Sequence, residues 1–330
     1  MQRFLSAKWL SLLVGVIIIL LWIMSIFWSS EPDLFEPADL AEQQAQLHSE
    51  RVVSGYVLTS TLIKVSETLL NKSGGYLSND VLPPSVMMDN MPSWEFGVLE
   101  MTRDLALAMR KDLSRSQSQS VENPFLTKAQ PLLNNNHLDW LLPSAESRYQ
   151  EAIDNLYQYR ASMADPKQDK GQFYARADNL RDWLKQVEKR LGSLSQRLSA
   201  SVGQERIDTS LAGDAEASQS TPTNRHLVDK TSWWRLDNNF YEARGASWAL
   251  LHYLKAVDTD FADVLEKKNA RISLQQIIRE LEATQESIWS PMILNGSGFG
   301  VLANHSLVMA NYISRANAAI IELSELLNQG

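Results

Sequence analysis

Between residues 9 and 28 the chain reads WLSLLVGVIIILLWIMSIFW, an apolar run with no face reserved for polar side chains. At about 1.5 Å per residue, a helix of that length crosses a hydrocarbon layer of roughly 30 Å. Every clear periodic segment beyond it has helical spacing, and none alternates convincingly as a strand. The predicted class is therefore all-α, with an N-terminal transmembrane helix followed by an elongated helical bundle. A first bundle helix is expected over residues 38–70, where Val52, Tyr56, Leu62, Ile63 and Leu69 form an apolar stripe. Residues 73–93 contain Gly74-Gly75, Pro83-Pro84 and Pro92 and read as an apolar loop packed on the core. Helix resumes over 94–114, and the polar stretch 116–137, broken by Pro124 and Pro131, reads as a connection.

Ser144 is placed to cap a helix running to about Met163. Next, Phe173, Ala177, Leu180, Leu184, Val187, Leu191, Leu194 and Leu198 alternate spacings of four and three, which makes a heptad seam. Its expected partner is the preceding helix, folded back as an antiparallel hairpin over residues 144–202; pairing of two chains through the seam is the alternative. Residues 203–231 are polar and read as a flexible linker. The chain thus divides into a tip and membrane segment (1–30), a helical lobe (31–202), the linker (203–231) and a C-terminal helical lobe (232–330) packing on the first. Helices in the last lobe are expected over 238–257, 260–289 and 301–327, the second capped by Asp258-Thr259-Asp260.

Charge gives the apolar run a direction. Arg3 and Lys8 precede it, while Glu31, Asp33, Glu36, Asp39 and Glu42 follow, so the basic side stays in the cytoplasm and residues 31–330 cross to the far side. Trp9 and Trp28 fall at the two interfaces, where indole is favoured. Ile26, Phe27 and Trp28 stand where a cleavable signal needs small residues, which favours an uncleaved anchor. The chain has no cysteine, which fits an oxidising compartment without disulfides and excludes a thiolate metal site or catalytic thiol. A bacterial inner-membrane protein with a periplasmic module is the expectation. Its net charge of −8, about −10 beyond residue 30, argues against nucleic acid and for a module standing off anionic lipid.

Two constellations combine aromatic, basic and amide groups. The first is Trp233, Trp234, Asp237, Tyr241, Glu242, Arg244, Trp248 and His252; on a helix, Tyr241, Arg244, Trp248 and His252 share one face. Aromatic rings beside carboxylate and guanidinium groups suit sugar rings and their hydroxyls, so peptidoglycan is the candidate polymer. Read more plainly, the aromatics are core and Arg244 pairs with Asp237 or Glu242. The second follows the glycine-rich turn 296–300 and comprises Asn304, His305, Asn311 and Arg315. Such a turn before a helix binds anions, but with no strand before it and no Walker lysine after it a nucleotide is not expected. A satisfied helix-to-helix network is the plain reading here too. No motif for a hydrolase nucleophile, a metal or another cofactor occurs.

The runs WWRLDNNFYEARGASWALLHYLKAV, QIIRELEATQESIWSPMILNGSGF and ANHSLVMANYISRANAAI resemble a bacterial family, domain of unknown function 2333. The run GGYLSNDVLPPSVMMDNMPSWEFGVLEMTRDLA in the first lobe is similar to the same family. The resemblance implies a membrane-anchored proteobacterial protein and brings no catalytic residues with it. Function is accordingly expected to be binding or scaffolding, through an envelope protein or peptidoglycan partner, with a glycan-acting hydrolase or lyase as the alternative.

Overall fold

A computed structural model describes residues 2–117, 119–165, 171–207, 226–290, 292–298 and 300–329. Helix α1 (Gln2–Trp28) contains the apolar run, and its segment Lys8–Trp28 is the one helix among the described residues long and apolar enough to cross a membrane. The expected helix 38–70 is two: α2 (Pro37–His48) and α3 (Tyr56–Asn71). Ser49 and Gly55 between them both have positive φ (54° and 85°), and a Cβ on residue 55 would lie 2.2 Å from the Phe173 ring. Helix α4 (Asn90–Ala108) ends in a π turn, Met109–Leu113.

The stretch expected to be a plain connection contains α5 (Pro124–Leu133). Its prolines are compatible with a helix because Pro124 opens it, where no N–H is needed, and Pro131 falls near its end. Asn123 Oδ1 caps it by accepting from the N–H groups of Phe125 (2.9 Å) and Leu126 (3.3 Å). Helix α6 (Ala145–Ala164) starts as expected, with Ser144 accepting from the Ser147 N–H. Helix α7 (Ala177–Ser199) carries the heptad seam. The linker is structured at its ends, where β1 (Gln204–Ile207) and β2 (His226–Asp229) pair antiparallel; residues 208–225 lie outside the described residues. Helix α8 (Leu236–Asp260) follows, then α9 (Ala262–Lys267), α10 (Arg271–Ala283) and α11 (His305–Asn328). The expected helix 260–289 thus breaks in two, at Asn269 with φ 51°. Asp260 does not cap it. Its carboxylate accepts from the N–H groups of Gly55 (2.9 Å) and Leu58 (2.7 Å), capping α3 from 202 residues away.

Helices α4 and α8 form the centre and run parallel, with Trp94 against Gly245 at one level and Thr102 Oγ1 2.8 Å from Tyr253 Oη further along. The crossing is close because both helices supply a glycine there. A Cβ on residue 97 would come within 2.0 Å of the Glu242 carbonyl oxygen, and one on residue 245 within 2.1 Å of the Trp94 carbonyl. Helices α3, α5 and α6 pack on one side and α7, α10 and α11 on the other. One buried apolar cluster runs through all of them, so the two lobes share a core.

The hairpin over residues 144–202 does not form. Helix α7 packs chiefly on α11, then on α4 and α8, whereas α6 packs on α5 and α3. The connection after α6 carries the chain away: Phe173 wedges between Gly55 and Phe261, and Tyr174 N–H bonds to the Leu113 carbonyl at the far end of α4. Leu180, Leu184, Val187, Leu191, Leu194 and Leu198 are buried inside the chain, which closes the seam to a second copy.

Candidate functional site

Helix α8 presents Arg244, Trp248 and His252 on one face, as the spacing requires. What covers that face is the chain's own segment directly after α1. The Phe35 ring stacks on His252 (centroids 4.0 Å apart, planes 14°) and meets Trp248 edge-on at 6.0 Å. His252 Nδ1–H donates to the Trp248 carbonyl (2.7 Å), and Nε2 accepts from the Phe35 N–H (3.1 Å). Burial pushes its pKa down to about 4, so the ring is neutral at pH 7 with both nitrogens occupied. Trp94 closes the aromatic stack from α4, 5.3 Å from Trp248.

One turn back, Arg244 is the hub of the joint. Its Nε donates to both oxygens of Glu31 (2.8 and 2.7 Å), Nη1 to the carbonyls of Thr284 and Glu286 (2.8 and 2.9 Å), and Nη2 to that of Gln285 (3.1 Å). Those carbonyls end α10, so one guanidinium ties α8, the α10 C-terminus and the segment after α1 together. The pairing with Asp237 or Glu242 expected from sequence is not made. Glu242 accepts from Arg197 on α7 (2.6 and 2.7 Å), and Asp237 is half-buried at the α8 N-terminus beside Asn238. Lys255 extends the clasp by reaching Glu36 (3.3 Å) and Glu282 (3.0 Å). Tyr241 is half-buried against Phe240, and burial raises its hydroxyl pKa. Trp233 and Trp234 stand apart from this face, exposed on the turn before α8.

The second constellation is used locally. Asn304 caps α11, its Oδ1 accepting from the Leu307 N–H (2.8 Å) and its Nδ2 donating to the Gly296 carbonyl (2.6 Å). His305 Nδ1 accepts from the Leu294 N–H at 3.1 Å. The side chains thus close the glycine-rich loop on itself, and the helix N-terminus is already capped. Phe299 lies outside the described residues. Arg315 binds Glu280 (2.5 Å) and sits over the Tyr312 ring, and Asn311 is exposed. His305 and Arg244 do meet across a cleft of about 370 Å³ lined also by Phe240, Trp289 and Tyr312.

Several residues that matter here carry no motif. Lys72 and Glu95 form a buried pair (2.6 Å), and Glu95 also accepts from the N–H groups of Leu77 and Ser78, pinning the loop 73–89. A second cleft, of about 410 Å³, opens between Asp80, Asp89, Phe96, His137 and Asn238. The Asn238 amide, oriented to satisfy both neighbours, donates to Asp237 Oδ1 (3.3 Å) and Asp89 Oδ2 (3.1 Å). Burial, then the Asp237 charge, raises the Asp89 pKa. Glu31 was the nearest to being legible, since it is the first charge after the apolar run.

Fold and site together define a helical bundle behind one helix able to span a membrane, with its aromatic-basic face filled by its own chain. The chain belongs to a family described as an uncharacterized protein conserved in bacteria, domain of unknown function 2333, whose model matches residues 2–330. No curated protein and no solved structure matches it.

Proposed function

We propose that this is a single-pass inner-membrane protein whose residues 31–330 form a periplasmic scaffold that binds another envelope component. The apolar helix α1 and the basic-before, acidic-after asymmetry around it support the location. One observation supports the role. The α8 face is spent on holding residues 31–36, which makes the bundle and the end of α1 one body rather than a module on a flexible tether. A rigidly mounted bundle presents fixed surfaces to a partner. A glycan hydrolase or lyase using that face is disfavoured, because Phe35 already occupies the aromatic stack and both His252 nitrogens are engaged.

The location is tested by fusing alkaline phosphatase, and separately β-galactosidase, after Gly330: an active phosphatase is expected, and a silent phosphatase with an active β-galactosidase overturns the orientation. The role is tested by crosslinking the native protein in cells. A discrete envelope partner or wall fragment is expected, and recovery of the protein alone refutes a scaffold.

A further inference from the structure

Exposed apolar side chains are not spread evenly over the bundle. One end collects the N-termini of α4, α6, α8 and α11 with the C-termini of α3, α5, α7 and α10, and four connections cover it. The loop 73–89 is pinned by Glu95, and the loop 134–144 is held against Tyr76 and Phe96 through His137. The turn before α8 lies beside them, and the loop 284–304 is held by Arg244. These connections carry exposed Trp140, Trp233, Trp234 and Trp289, with Leu142 and Val301 almost fully exposed at 93% and 104%. Met87 and Leu82 continue the patch (80% and 72%). At the opposite end the large exposed apolar side chains, such as Val121 and Ile272, stand singly beside Glu122 and Arg271. Exposed large apolar side chains gathered at one end in this way are the mark of an interaction surface.

Charge is also thin at this end. Residues 284–304 contain a single charged side chain, Glu286, residues 73–89 only Asp80 and Asp89, and residues 134–144 only Asp139. Lys230 and Arg235 flank the Trp233-Trp234 pair. Over these stretches four acids stand against two bases, about −2 of the net charge of about −10 beyond residue 30, so most of the acidic charge is carried elsewhere on the bundle and little of it opposes a membrane at this face.

The chain itself says what lies opposite. Trp28, the last residue of α1, packs against Gly74 in the loop 73–89, and Glu31 is already bound to Arg244. Three residues reach at most about 10 Å. If α1 spans, this end of the bundle is held within that distance of the bilayer surface. We infer that the face bearing Trp140, Trp233, Trp234 and Trp289 rests in the interfacial layer of the membrane that α1 crosses. Tryptophan favours that layer, and the basic pair beside Trp233 and Trp234 reaches headgroup phosphates. The inference rests on the spanning role proposed for α1.

The absence of native cysteine allows single spin labels in the full chain. Leu142→Cys and Val301→Cys report on the face, Val121→Cys and Ile272→Cys on the opposite end, and Ile18→Cys on α1. Each is labelled in phosphatidylcholine nanodiscs carrying one chain per disc, and its accessibility to oxygen and to a water-soluble nickel chelate is compared. Labels at 18, 142 and 301 are expected to give a several-fold higher oxygen-to-nickel ratio than those at 121 and 272. A lipid signature at 18 with water-like ratios at 142 and 301 overturns the docked face while leaving the span intact. A water-like ratio at 18 overturns the spanning reading itself. Shielding of 142 and 301 that needs several chains per disc makes the face a contact between copies and overturns the proposal. Shielding that appears only with phosphatidylglycerol makes the attraction electrostatic, which also overturns it.

Discussion

His252 and Asp260 pull the acid stability of the bundle in opposite directions. Burial lowers the His252 pKa to about 4 from 6.5, so its contribution is complete above pH 6.5 and lost as pH falls toward 4. Burial raises the Asp260 pKa to about 6 from 3.8, against the N–H donors of Leu58 and Gly55. Its contribution is complete below pH 3.8 and lost as pH rises through 6. Going from pH 7 to pH 5, the histidine costs about 2 kcal/mol and the aspartate returns about 1 kcal/mol. Denaturant unfolding of the full chain in detergent should show a shallow net loss. His252→Gln is expected to reverse the trend, making pH 5 the more stable condition, and Asp260→Asn to steepen it. Identical pH slopes in both variants and the parent would contradict these assignments.

At the scale of elements, the α4–α8 crossing depends on having no side chain at Gly97 and Gly245. Gly245→Ala must push the Trp94 carbonyl back and is expected to cost about 1–3 kcal/mol. Gly192→Ala in α7, where the nearest atom is 3.8 Å away, should instead gain up to about 1 kcal/mol from helix propensity. Equal effects in thermal unfolding would mean the crossing relaxes without strain. Helices were legible in the sequence wherever one face is apolar, as in α3, α7 and α8, because periodicity reports which side of a helix is buried. It does not report what buries it. The seam from Leu180 to Leu198 is therefore correct as a face and wrong as a hairpin, since α11 begins more than a hundred residues later. Helix α5 is hidden because proline in mid-chain signals a break, although at the start of a helix it is at home. Gly97 and Gly245 read as weak points in a helix until the crossing brings them together.

For the whole molecule, the decisive contact joins Glu31 to Arg244. The spacing of Arg244, Trp248 and His252 made a shared face legible, but its occupant was not, because that occupant is the same chain 213 residues earlier. Lysine has one ammonium in place of a fork, so Arg244→Lys cannot serve Glu31 and three carbonyls together. A loss of about 3 kcal/mol is expected, concentrated in the joint. Limited proteolysis between residues 29 and 36 should accelerate on the order of a hundredfold while the buried core of α4 and α8 stays protected. An unchanged cleavage rate there would show that the joint does not hold the segment.

That separation also sets an order of assembly. Ribosomes extend a chain by roughly 5–20 residues per second, so Arg244 emerges roughly 10–40 s after Glu31. During that interval α3 lacks the carboxylate that caps it, and Phe35 has no ring to lie on. On the proposed topology α1 enters the bilayer first, and the body of the protein then gathers around a stalk that is already fixed. The clasp cannot close before Arg244 and the carbonyls of residues 284–286 have been made. A chain truncated before Arg244 would keep α1 but lack the latch on Glu31.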